Sequence, residues 1–421
     1  MLRRIQETLS IYKDLPRDIY FIALSRFILG LGNFIIPFLV LLLTQKLGYS
    51  EAIASTFVMI VMTAFMIGGV FGGKLADAFG HKNIMVLGEL IGGTILFVCG
   101  FFPEHHYLAP ALILIAYLFG GASVPAGNAL AANLSNTNNR SAVMSLSYLA
   151  YNVGSAVGSL VAGYLFWYSS SLIYWGNGLA SVIGILLVAW FVKEPKYTKP
   201  MPTPEREDLE LEFDPEQDAE GSVWQVLKER PHLWVFGIAC TLLYIAITQM
   251  TVLAPLYMAH LFGKEGAVVF GQLMTIACVA VVVLTPILVK VTHGQSELKS
   301  LSICGVLLAG GYLVVMNFDY VPVFFFAWLI LAAAEVLLVT NENVYIANQS
   351  PRSHRGRISG VINTIKNIGM LPAYVVMGIM VQGIGYSMTW SCIIAIAVLS
   401  SLMLLFMSKR QHSSVAAVQA H

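Results

Sequence analysis

Apolar residues in this chain run in long continuous stretches. They show neither the strict alternation of a half-buried strand nor the single apolar stripe of a helix lying on a soluble core. Stretches of the roughly 20 residues needed to cross a bilayer fall at 19–44, 53–73, 84–102, 108–132, 143–168 and 172–192. Six more lie at 233–262, 267–289, 300–317, 321–347, 358–383 and 386–408. The pattern predicts an all-α membrane protein with twelve transmembrane helices. Helices are favoured over a barrel because each stretch is continuously apolar and because a helix satisfies its own backbone in lipid.

Between the two sets of six, the polar break at 193–232 opens with Lys193, Lys196 and Lys199, then holds four prolines from Pro195 to Pro204. An acidic run from Glu205 to Glu220 comes next, the composition of a solvated, self-repelling linker. Trp224, Val226 and Leu227 predict a short interfacial helix leading into the seventh span. The chain therefore divides into 1–192, 193–232 and 233–421.

Composition agrees: of 421 residues, 57% are hydrophobic and only 11% charged, against about 25% charged in ordinary soluble proteins. Twenty of the 24 Lys and Arg residues fall in segments on one side of the membrane. Lys46 and Lys264 lie in loops on the other side, and Arg26 and Lys366 lie within spans. The positive-inside rule then predicts both termini in the cytoplasm of a multi-pass protein. The polar start, Met1 to Asp18, ahead of an anchor-length span predicts no cleaved signal peptide. The five cysteines all lie in apolar spans with no Cys-x-x-Cys pair, so they read as small core residues.

An internal repeat sharpens the picture. Residues 120–154 recur at 335–369 with no gap: Asn128 matches Asn343, Asn133 matches Asn348, Arg140 matches Arg355, Asn152 matches Asn367 and Gly154 matches Gly369. The copies differ where the second gains ionisable groups. Gly120 becomes Glu335, Gly127 becomes Glu342 and Tyr151 becomes Lys366.

Between the second and third spans stands G-K-L-A-D-A-F-G-H-K, with Gly73, Asp77, Gly80 and Lys82. Glycines there permit a tight turn at the bilayer surface, and a carboxylate can cap a helix N-terminus. This resembles the loop signature of the major facilitator superfamily, G-x-x-x-D-R-x-G-R-R/K, departing from it at Ala78 and His81. The resemblance covers nearly the whole chain and implies two pseudo-symmetric six-helix bundles, with Gly73, Asp77, Gly80 and Lys82 acting as a conformational latch. Among major facilitators the chain is most similar to bacterial twelve-helix drug/proton antiporters, the type of the lactococcal multidrug transporter. In that type a tenth-helix glutamate takes part in proton coupling, and Ala334-Glu335-Val336 sits at that place. Ser147 stands where such proteins carry a fifth-helix aspartate. Gly154, Gly158 and Gly163 partly match an exporter motif, but Ser159 replaces its proline, and close helix packing explains them better.

A charge at mid-bilayer costs about 2.5–3.5 kcal/mol on insertion scales, so intramembrane ionisable residues mark functional candidates. Glu335 and Glu342 lie two turns apart on one face of the tenth span, and Lys366 enters the eleventh to about the depth of Glu342. A Glu342–Lys366 ion pair is expected, leaving Glu335 to carry the proton; the bland alternative pairs both glutamates permanently, with Lys366 and Arg26. Arg26, Asn128, Gln249, Asn343 and Lys366 are the candidate substrate-cavity residues, and Glu335 and Glu342 the proton-coupling ones. Glycines and prolines in the first span, and Gln249, Thr251 and Pro255 in the seventh, predict bent helices. Glu89, in the third span, reads as a paired or near-surface carboxylate.

The expected activity is proton-coupled efflux of an amphiphilic, drug-like compound by alternating access from a bacterial inner membrane. The alternative is proton-coupled uptake of a small polar or zwitterionic metabolite. The proton gradient is the energy source and no cofactor is implied; the partners are a small-molecule substrate and the lipid bilayer, with no nucleic acid, and the protein is expected as a monomer. No P-loop, H-E-x-x-H or G-x-S-x-G occurs, which argues against an ATP-driven pump or a membrane enzyme.

Overall fold

The computed structural model describes residues 12–13, 15–136, 139–194, 223–292, 294–351 and 354–419, and nearly all of these are helical. The acidic run of the central linker, His293 and Arg352 lie outside the described residues. Helix α1 (Arg17–Leu31) leads to α2 (Ile35–Leu41), which continues into a π-helical turn over Leu42–Lys46. Four long helices come next: α3 (Glu51–Phe79), α4 (His81–Cys99), α5 (Leu108–Asn133) and α6 (Arg140–Tyr168). Then come α7 (Ser170–Phe191), the short α8 (Val223–Glu229), α9 (Pro231–Ile247) and α10 (Leu253–Phe262). The last four are α11 (Gly266–Thr292), α12 (Glu297–Asn317), α13 (Val321–Asn348) and α14 (Arg355–Gln419).

Ten stretches among the described residues are long and apolar enough to cross a membrane. Two of them, Pro231–Thr292 and Gly356–Gln411, are 62 and 56 residues long. That is more than double the ~20 residues of one crossing, and each contains a glycine at positive φ, Gly263 at 55° and Gly385 at 78°. The twelve expected spans correspond to these ten stretches if each long one crosses twice. Short α8 falls where Trp224, Val226 and Leu227 predict it, with Val226 and Leu227 buried and Trp224 exposed.

The first and seventh spans are broken, as their glycine and proline content predicts. The first is interrupted at Gly32–Phe34, and the seventh unwinds into a 3₁₀ turn at Thr248–Met250 before α10 begins. Irregular backbone at membrane depth persists only where protein or a water-filled cavity surrounds it.

The chain packs as two compact units. One comprises Met1–Pro195, Met250–Val282 and Tyr374–Gly383; the other comprises Lys196–Gln249, Val283–Ala373 and Ile384–His421. In the first unit α1 packs against α6 and α7, while α5 packs against α3 and α4. The α1–α6 seam is tight because it is lined with glycine: a Cβ on Gly154 would sit 2.1 Å from the Phe27 carbonyl, and one on Gly158 would sit 2.6 Å from that of Leu31. Small residues substitute for hydrophobic drive in helix association within lipid. In the second unit α13 packs on α12 and α9. Trp328, Trp390 and Tyr312 are its largest fully buried side chains, with Tyr312 and Trp390 stacked at 5.0 Å.

Candidate functional site

The second unit holds a closed ion pair. Lys366 on α14 donates from Nζ to Glu342 Oε1 on α13 at 2.7 Å, with both side chains at least nine-tenths buried. From α9, the Tyr244 hydroxyl donates to Glu342 Oε2 at 2.8 Å, and the Tyr244 ring centroid lies 4.2 Å from Lys366 Nζ. Both carboxylate oxygens are thus satisfied and the ammonium has an anion and an aromatic face.

Glu335 is different. It lies two turns earlier on α13, half-buried, and makes no hydrogen bond or ion pair among the described residues. Cys304, Tyr312 and Tyr244 are the ionisable side chains that feel its charge. Tyr312 is already committed, donating to the Ala246 carbonyl at 2.7 Å.

The first unit has a cavity of about 320 Å³ between α1, α5 and α6, with Arg26, Asn128, Ser147, Tyr148 and Tyr151 in its wall. Arg26 is half-buried and its Nη2 reaches Asn128 Oδ1 at a long 3.5 Å. The carboxylate whose field it feels is Glu89 on α4, which faces the hydroxyls of Ser123 and Ser181. Gly127 makes room for the guanidinium, since a Cβ there would lie 2.7 Å from Arg26 Nη2. A larger hollow of about 530 Å³ between α3 and α5 is lined by residues such as Met59, Ile60, Ile67 and Ile115, and none of the described residues in its wall is charged. It offers almost nothing to orient a solute.

Among the other candidates, Gln249 is fully buried and turned back on its own helix, donating to the Ile245 carbonyl at 2.9 Å and to Thr248 Oγ1 at 3.2 Å. Asn343 is exposed on α13. At the α3–α4 turn Gly80 has φ 95°, a conformation that favours glycine. Asp77 is 80% exposed, with His81 Nε2 3.6 Å away. Lys82 donates to the Ala189 carbonyl at 2.7 Å, and Gly73 faces open space.

Two contributors escaped the sequence reading. Tyr244 carries no mark in the repeat. Glu194 caps the start of α4 by accepting from the backbone N–H groups of His81 (2.6 Å) and Lys82 (3.3 Å), so the carboxylate at this helix N-terminus is Glu194 and not Asp77. Glu89, read from the sequence as a paired or near-surface carboxylate, acts on Arg26 through its field. Polarity was the available signal for Glu194, a lone carboxylate just past the sixth span.

The broken first and seventh helices, the repeat and the intramembrane charges all agree with a comparison to family models. The Major Facilitator Superfamily model matches residues 22–374 and 296–419. This chain belongs to the Major Facilitator Superfamily. It is a multi-pass membrane protein and a secondary transporter of that type.

Among curated relatives, the chain is 22% identical over 426 residues to a Na(+), Li(+), K(+)/H(+) antiporter of Planococcus maritimus, covering 94% of this chain and 96% of that one. It is 25% identical to the uncharacterized MFS-type transporter YqjV of Bacillus subtilis (strain 168), covering 78% and 77%. It is 26% identical to the multidrug resistance protein MdtH of Yersinia enterocolitica, covering 59% of this chain and 58% of the relative. Among solved structures, a POT family transporter in complex with 5-aminolevulinic acid shares the fold at TM-score 0.76 and 14% identity, covering 94% and 96%.

Proposed function

We propose that this transporter exports amphiphilic compounds in exchange for protons by alternating access, as two six-helix bundles (1–192 and 233–421) joined by the linker 193–232. In this reading it sits in a bacterial inner membrane with both termini in the cytoplasm. Glu335 is the proton-coupling residue. The observation that carries this is the contrast between two glutamates on one helix. Glu342 is paired with Lys366 and hydrogen-bonded by Tyr244, whereas Glu335 has no described partner. A coupling carboxylate has to be reachable without breaking a buried ion pair, and removing either partner of such a pair leaves an uncompensated buried charge.

Glu342 and Lys366 then act as a structural pair beside the coupling site. Asp77, exposed at the α3–α4 turn, is free to engage a partner in another conformation, with Gly73, Gly80 and Lys82 shaping that latch. An antiporter and a multidrug resistance protein among the relatives support exchange over uptake. Arg26 and Asn128 face the substrate.

The test is proton movement in proteoliposomes under an imposed pH gradient, with candidate amphiphiles and small zwitterions added to wild type and to Glu335→Gln. A compound that collapses the gradient in wild type but not in the variant supports the reading, and its chemistry separates export from uptake of a polar metabolite. Equal behaviour of the two proteins removes the coupling role from Glu335.

A further inference from the structure

We infer that the cavity around Arg26 is a binding site for the anionic head of an amphiphile, a carboxylate or sulfonate on an apolar body. The inference deepens the export reading by naming a substrate class, and it rests on that reading only for the transport step after binding.

Among the described residues Arg26 is the one charged group in the cavity wall, and no Asp or Glu lines it. Its single described hydrogen bond, to Asn128, is at the limit of length. A guanidinium presents five donors in a planar fork, so most of its capacity is unused, and that fork matches a carboxylate's two oxygens. Glu89 balances its charge electrostatically, but lies outside the cavity wall and beyond ion-pair contact. The glycine at 127 keeps the space beside Nη2 clear.

Two further polar groups share the wall. Ser147 has its Oγ buried with no hydrogen-bond partner among the described residues, and Asn128 is exposed. Ile22, Val124, Met144, Tyr148 and Tyr151 complete the wall with apolar and aromatic surface, which suits the body of an amphiphile. A cationic drug would find no carboxylate here to receive it. A zwitterion would have its ammonium left over.

The test uses the full-length protein in nanodiscs without a gradient. The probes are a dansyl-labelled medium-chain fatty acid and the same dansyl chain ending in trimethylammonium. Wild type is expected to bind the anionic probe at least about tenfold tighter, equivalent to about 1.4 kcal/mol. Arg26→Gln should lose that preference and Arg26→Lys should keep part of it. Ser147→Asp, which adds the missing carboxylate, should shift preference toward the cationic probe. Each variant is first checked for monodispersity, and Ser147→Asp keeps the question answerable if Arg26→Gln fails to fold. Equal binding of both probes by wild type, or a preference that survives Arg26→Gln, overturns the assignment. Because binding is read at equilibrium with no proton movement, such a result leaves the Glu335 reading untouched, and a silent Glu335→Gln transport assay leaves this one untouched.

Discussion

Lys366 Nζ sits 2.7 Å from Glu342 Oε1, at a place where the first copy of the repeat has Tyr151 and Gly127. The first unit inverts the roles. There the cation is Arg26 on α1 and the tyrosine is on α6, whereas in the second the tyrosine, Tyr244, is on α9 and the cation is on α14. Both units keep a cation and a tyrosine beside the same position of the repeat, but only the second fills that position with an acid. The first is left with an open cavity and the second with a sealed pair.

Breaking the pair from one side should be costly. Lys366→Met leaves Glu342 with Tyr244 alone, and removing one partner of a buried pair typically costs about 3–5 kcal/mol. The double variant Lys366→Met/Glu342→Leu should recover most of that loss, since replacing both charges by apolar groups is often neutral. Apparent Tm in detergent checks this. A double variant no better than the single one would mean the pair is not what holds α13 to α14.

The α1–α6 seam predicts a contrast between two glycines of the same repeat copy. Gly154→Ala places a methyl against the Phe27 carbonyl and the Leu31 amide, backbone that cannot yield. Overpacking of this kind costs about 1–3 kcal/mol or more, seen as lower yield and Tm. Gly120 faces open space, so Gly120→Ala should stay within about 0.5 kcal/mol of wild type.

At the α3–α4 turn, stability and gating should separate. Glu194→Ala removes the cap on His81 and Lys82, and cap loss costs about 0.5–2 kcal/mol. Asp77→Asn changes an exposed group with one weak neighbour and should leave Tm unchanged while slowing transport. If Asp77→Asn destabilises as much as Glu194→Ala, Asp77 is structural and the latch role fails.

Legibility from sequence tracked the range of each interaction. Continuous apolar runs report span positions, and equal depth in the repeat was enough to bring Glu342 to Lys366. Periodicity says which face of a helix a residue occupies; it does not say which other helix packs there. Tyr244 lies 98 residues from its carboxylate partner and Glu194 lies 113 from His81, so neither contact leaves a local trace. Gln249 shows the opposite limit. A polar residue in a span reads as cavity-facing, but at the break between α9 and α10 Gln249 is fully buried and its amide NH2 donates to the backbone of its own helix. Arg26 was legible as a cation within a span, but its lack of an ion-pair partner among the described residues depended on the glycine opposite and on where Glu89 comes to rest.

The inverted roles in the two units yield one last prediction. Gly127→Glu installs in the first copy the acid that the second copy carries as Glu342. The groups nearest the new Cβ are the Arg26 guanidinium and the end of Met85, both flexible side-chain ends that can move aside. The new carboxylate should therefore be accommodated and should pair with Arg26, closing the cavity as Lys366 and Glu342 close theirs. Tm should fall by less than an unpaired buried carboxylate would cost, because the added charge has Arg26 as its partner. Binding of an anionic amphiphile should fall to the level of Arg26→Gln, since the guanidinium now has an internal acceptor. A Gly127→Glu protein that folds and still prefers the anionic probe would show that the anion does not bind at Arg26.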